Sequence, residues 1–284
     1  MGLHRMADRL GRIEALDRLA APLDALAQRA IPKGRVKDVL SGTWLGHALH
    51  PMLTDIPIGS FTSASVLDLL GGRRAQPAAD GLVGLGLVSA VPTAAAGLSD
   101  WSDTYGPDKR VGVAHAVANL IGLALYGASL VARIRGRRGA GTTLGLAAMG
   151  VMTAGGYLGG DLSYARGVGV NNAFWQHAPE DWAPVLDEAA LPEGKPVKAE
   201  ASGTGVLLYR TTERILAISS RCSHAGGPLH DGSVDPATNC VTCPWHQSVF
   251  RLEDGSVVHG PATVPQTGYE ARARGGKVEV RARS

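Results

Sequence analysis

Cys222-Ser223-His224 and, after 18 intervening residues, Cys243-Pro244-Trp245-His246 each set one thiol and one imidazole within a single turn's reach. Two such C-x-H and C-x-x-H loops supply two thiolates and two neutral imidazoles. That donor set suits a binuclear site in which one iron is held by two sulfurs and the other by two nitrogens. Thiolates stabilise ferric iron, while imidazoles leave the second iron easier to reduce. A zinc site is the rival reading, because Cys240 and Cys243 with Cys222 and His224 also give four ligands of acceptable type. It leaves His246 without a role, and in the iron reading Cys240 is a thiol buried in a strand. His230 reads as a loop residue.

These loops need a rigid β frame to converge. "GVLLYR", "RILAISS", "SVFRL" and "KVEVRAR" read as short strands separated by turn signals such as Asp254-Gly255 and Gly275-Gly276, which predicts an all-β domain over residues 184–284. All three cysteines fall in this region, clustered for a metal and too few for a disulfide framework.

The rest of the chain has a different composition. Charged residues are 19% of the whole, crowded into the first 40 residues, short loops and the last 100. Four apolar runs at 51–70, 80–99, 111–132 and 142–160 each approach the roughly 20 residues that cross a bilayer core. They predict a four-span transmembrane bundle over 41–165, with close helix contacts at Gly155, Gly156, Gly159 and Gly160. Residues 1–40 read as an amphipathic helix, with Met6, Leu10, Ile13, Leu16, Leu19, Leu23 and Leu26 on one face. That helix either packs on the protein or lies on the lipid surface. The first 30 residues lack the apolar core of a signal peptide, and 166–183 reads as a linker. The fold class is therefore α+β multidomain.

A net charge of +3, from 28 Lys+Arg against 25 Asp+Glu, gives no nucleic-acid surface. The basic residues flank the spans almost equally on both sides, so orientation is weakly specified. Arg137-Arg138 also has the form of a twin-arginine export signal. Both termini, and with them the β domain, are expected on the cytoplasmic side of a bacterial inner membrane.

The motif pair followed by "SVFRLEDGSVVHGPA" resembles a Rieske [2Fe-2S] domain. The resemblance implies that Cys222 and Cys243 ligate the inner iron, and His224 and His246 the outer one. It makes Gly260-Pro261-Ala262 the proline loop that shields the cluster, and puts Ser248 where Rieske proteins of cytochrome bc complexes have a serine bonded to a cluster sulfur. Gly227 and Trp245 stand where those proteins carry an extra disulfide, and Phe250 where they carry a tyrosine. Fewer hydrogen bonds to the sulfurs imply a potential toward the low end of the Rieske range. With about 40 residues after His246, a mononuclear-iron oxygenase domain is not expected, so the chain would not by itself be a ring-hydroxylating oxygenase.

"GHALHPMLTDIPIG" resembles the H-P-x-L-x-x-I-P opening of a four-helix bacterial membrane family of unknown function, covering about 40–165. His50, with His47 as an alternative, His115 and Asp55 are expected at similar depth beneath one surface. Intramembrane ionisable groups mark candidate sites, here for haem b or a quinone. The expected function is one-electron transfer by a membrane-anchored iron–sulfur protein, with donor and acceptor unassigned. The alternative is a redox sensor or partner-binding membrane module.

Overall fold

The computed structural model describes residues 2–283, apart from the side chains of Leu3 and His4. The chain folds into two compact units. One takes residues up to Ile31 together with Leu49–Val168; the other takes Pro32–Ala48 and everything from Gly169 onward. The expected boundaries shift accordingly, because residues 32–48 and most of the supposed linker belong to the β unit.

The helical unit begins with α1 (Gly2–Gly11) and α2 (Asp17–Ala30). A short 3-10 turn at Glu14–Leu16 splits the single helix that the periodicity predicts. Small Ala7, Ala20 and Ala27 are the buried positions, while Met6, Ile13, Leu19, Leu23 and Leu26 are each more than 40% exposed. Ion pairs fasten this segment to the bundle: Lys109 with Asp24, Arg110 with Asp17, and Arg166 with Asp8.

Four long helices follow: α4 (Leu49–Leu70), α5 (Gln76–Ser102), α6 (Gly106–Ile134) and α7 (Arg138–Gly160). Among the described residues, two helical stretches are long and apolar enough to cross a membrane, Arg73–Ser102 and Gly106–Ile134. The other two match their expected positions as helices but not as spans by that measure. His50, Asp55, Asp68 and several hydroxyls lower the hydropathy of α4, and α7 is rich in glycine.

Close approach explains those glycines. A Cβ at Gly155 would stand 2.9 Å from Asn119 Oδ1, and one at Gly159 would stand 3.0 Å from the His115 ring. Gly156 meets nothing within 4 Å, so only one of the two overlapping glycine pairs faces a neighbour. Phe61 stacks on Tyr126 at 3.8 Å in the middle of the unit. Near one end of the bundle Arg133 and Arg138 both grip Asp68 and Asp80. Arg138 is therefore a structural member of the bundle, which counts against the export-signal reading.

The β unit contains two sheets. The six-stranded sheet runs β1 (Ala183–Asp187), β10 (Lys277–Ala282), β9 (Gly268–Arg274), β4 (Ile215–Ser219), β3 (Thr204–Arg210), β2 (Pro196–Ala201). The smaller sheet runs β5 (Ser233–Asp235), β6 (Cys240–Thr242), β7 (Val249–Arg251), β8 (Val257–His259). Every paired neighbour is antiparallel. One apolar core, containing Leu207, Ile218, Leu229, Val241, Phe250 and Leu252, also packs Cys222 and Cys243. A short helix from the N-terminal part of the chain, α3 (Arg35–Ser41), completes this unit.

Candidate metal centre

Two loops carry the four candidate ligands, one after β4 and one between β6 and β7, and their backbones close in the same way. In the first, Cys222 N–H donates to Gly227 O (2.8 Å) and Gly226 N–H to Cys222 O (2.8 Å). In the second, Cys243 N–H donates to Ser248 O (2.8 Å) and Gln247 N–H to Cys243 O (3.1 Å). The residue four beyond each cysteine is left-handed, Gly226 at φ 77° and Gln247 at φ 65°. Each turn aims backbone N–H groups at its own sulfur, from His224 and Ala225 to Cys222 and from Trp245 and His246 to Cys243. Such donors stabilise a thiolate.

The four side chains converge in pairs. The Cys222 and Cys243 sulfurs share a hydrogen bond, which with burial raises Cys222 and, from the other side, lowers Cys243 to about 6. The rings of His224 and His246 lie 4.8 Å apart at 87°. Burial, then His246 and Lys37, push His224 down to about 3, so this imidazole is neutral and competent as a metal ligand. The donor set thus fits two metals with two protein ligands each. Among the described residues no three His, Cys, Asp or Glu side chains gather as a metal site. The zinc set is therefore not assembled, and Cys240 Sγ instead donates to Thr238 O at 3.5 Å.

The surroundings are as tight as the ligand loops. A Cβ on Gly227 would stand 3.0 Å from Cys243 Sγ and 3.1 Å from the Trp245 ring, so these two positions do face each other. Ser248 is fully buried, and its Oγ accepts from Ala262 N–H at 2.9 Å. Phe250 is fully buried. His230 meets the Ser220 hydroxyl at 2.6 Å in its own loop. Asn172, in the supposed linker, braces the first ligand loop: its N–H donates to Ser223 O (2.8 Å) and its amide to His224 O (2.9 Å). No motif marked it.

In the helical unit His50 and His115 do come together, 6.4 Å between ring centroids. Each ring is already engaged. His50 Nδ1–H donates to Thr93 O (2.9 Å), His115 Nδ1–H donates to Gly155 O (2.7 Å), and the Asn119 amide lies 3.1 Å from His115 Nε2, the atom whose lone pair a haem iron would need. Asp55 is exposed, and among the described residues no bond joins it to either ring. His47 is exposed and falls in the other compact unit. The haem and quinone expectations therefore gain no support.

Comparison with known proteins matches residues 181–270 to the Rieske [2Fe-2S] domain and residues 46–172 to DUF2231, described as a predicted membrane protein. Ferredoxin CarAc of Metapseudomonas resinovorans is 26% identical over 100 residues, 35% of this chain and 92% of its own length. The cytochrome b6-f complex iron-sulfur subunit of Chlorobaculum tepidum is 26% identical over 94 residues, 30% of this chain and 50% of its own. The solved ferredoxin of carbazole 1,9a-dioxygenase from Nocardioides aromaticivorans IC177 is 25% identical, with TM-score 0.35, covering 37% of this chain and all of that one. The chain spans about a fifth of the length of the carbazole dioxygenase terminal oxygenase from Sphingomonas and of the cholesterol 7-desaturases that it matches. A DUF2231 predicted membrane domain and a Rieske [2Fe-2S] domain, the latter homologous to electron-transfer ferredoxins and Rieske subunits, are thus joined in one chain.

Proposed function

We propose that Cys222, Cys243, His224 and His246 hold one [2Fe-2S] cluster, and that the protein is a membrane-anchored carrier of single electrons. The observation that carries this reading is the pair of equivalent ligand loops, each presenting a sulfur cradled by N–H groups, with the two imidazoles facing each other. The cluster supplies the redox centre, accepting one electron from a reduced donor and passing it to an acceptor. The protein's own part is to hold the imidazoles neutral, exclude water with Leu229, Phe250 and Ala262, and fix the loops through Asn172 and Ser248. With Gly227, Trp245 and Phe250 in place of a disulfide and a tyrosine, the midpoint belongs toward the low end of the Rieske range.

In this reading α4 and α7 cross the membrane beside the two more apolar helices. Exposed Met6 of α1 and Leu19, Leu23 and Leu26 of α2 rest at the lipid surface, as suits large apolar side chains that face outward. The cytoplasmic inner-membrane placement of the cluster belongs to the same proposal. Purified detergent-solubilised protein should show the EPR signal of a reduced Rieske cluster and exchange electrons rapidly and reversibly with a reductase or a quinol. Absence of that signal refutes the cluster. Slow oxidation accompanied by altered partner binding would replace the carrier with the sensor.

A further inference from the structure

The turn that ends α3 brings two side chains to the proline loop. Gly42 takes φ 85°, so that Gly42 N–H bonds to Val39 O (3.3 Å) and Thr43 N–H reaches back to Asp38 O (3.0 Å), a Schellman closure. Asp38 Oδ1 then accepts from Gly260 N–H at 2.7 Å, and its Oδ2 lies 3.0 Å from His259 Nδ1. Thr43 Oγ1 donates to Ala262 O at 3.1 Å. The fit leaves no slack, since a Cβ on Gly260 would stand 2.5 Å from Thr43 Oγ1.

From its other side the same loop is held by the Ala262 N–H bond to Ser248, and Ala262 packs fully buried in the core that contains both ligand cysteines. Residues 38 and 43 therefore form the outer half of a clamp on Gly260-Pro261-Ala262.

We propose that Asp38 and Thr43, far from the ligand motifs in sequence, are a working part of the cluster site. They are positioning residues that keep the proline loop closed over the ligand loops. The physical basis is a charge-assisted hydrogen bond to a loop N–H that is otherwise hard to satisfy. This proposal rests on the cluster assignment above.

The test uses the full-length purified protein with its cluster and reads a quantity other than turnover, the rate at which excess iron chelator bleaches the cluster. Asp38→Ala should bleach about tenfold faster, the change in loop opening that loss of one charge-assisted hydrogen bond would produce. Asp38→Asn should lie between it and the wild type, and Thr43→Val, a milder change, should also bleach faster. Glu213→Gln, an exposed position in the β3–β4 turn, should match the wild type. If Asp38→Ala fails to take up a cluster, Thr43→Val decides the clamp. Wild-type bleaching in Thr43→Val overturns the proposal alone. A wild type without a cluster overturns the reading beneath it and the proposal together.

Discussion

Gly227 lies so close to Cys243 that the Cβ it lacks would stand 3.0 Å from the sulfur, with the Trp245 ring at 3.1 Å on the same side. The contact joins the two ligand loops directly, and a substitution there tests how tightly they are held. Gly227→Ala must push the sulfur or the indole aside, an overpacking cost of about 1–3 kcal/mol. Reduced iron content and a lower melting temperature are the expected outcomes. Wild-type values for both would mean that the loops yield freely.

Serine replacement separates the cysteines. Cys222→Ser and Cys243→Ser should abolish the Rieske EPR signal, while Cys240→Ser should keep it at wild-type intensity, because Cys240 is spent on a bond within its own turn. His224→Ala and His246→Ala should each lose the signal too. Loss of metal in the Cys240 variant would bring the zinc set back.

The paired charges at one end of the helical unit carry stability. Asp68 has 3% side-chain exposure and Arg133 1%, and they bond to each other and to Arg138 and Asp80. Asp68→Ala takes away the more buried of the two carboxylates that Arg133 and Arg138 share and leaves them the partly exposed Asp80, so the helical unit should lose about 3 kcal/mol. Unfolding in detergent, followed by circular dichroism, measures it. Replacing an exposed charge such as Asp55 by Asn should change the same curve by less than about 0.5 kcal/mol.

Tyr269 in β9 supplies a pH prediction. Its hydroxyl is buried without a hydrogen-bond partner among the described residues, and burial raises its pKa from 10.0 to about 12. The unfolded chain therefore gives up this proton at a lower pH than the folded one. The stability associated with the neutral phenol is whole below pH 10 and is lost as pH rises toward about 12. Tyr269→Phe should flatten that alkaline loss and leave stability at neutral pH unchanged or slightly improved, since it removes a buried polar group with no bond to lose. An alkaline unfolding curve identical to wild type would assign the loss to other groups.

Much of the metal centre was legible because it is local. Each ligand loop closes on its own backbone within six residues, from Cys222 to Gly227 and from Cys243 to Ser248, so spacing alone carries the geometry. The four long helices were legible for a similar reason, since an apolar run is a property of a short window. Hydropathy decided less where it met small residues. It left the apolar face of the first 30 residues open between packing and lipid, and there alanines make the close contacts while Leu19, Leu23 and Leu26 are exposed.

By itself the sequence determined the candidate ligand types, their spacing, the β frame around them and the helical run before them, all of them encoded in neighbouring residues. Only the tertiary structure decided that Asp38 bonds to Gly260 across 222 positions, that Asn172 braces a ligand loop, and that the Asn119 amide lies against the His115 nitrogen a haem would need. Contacts of that kind leave no periodicity and no motif. They arise when the folded chain brings separate segments to one place, where each polar group must find whatever partner the packing supplies.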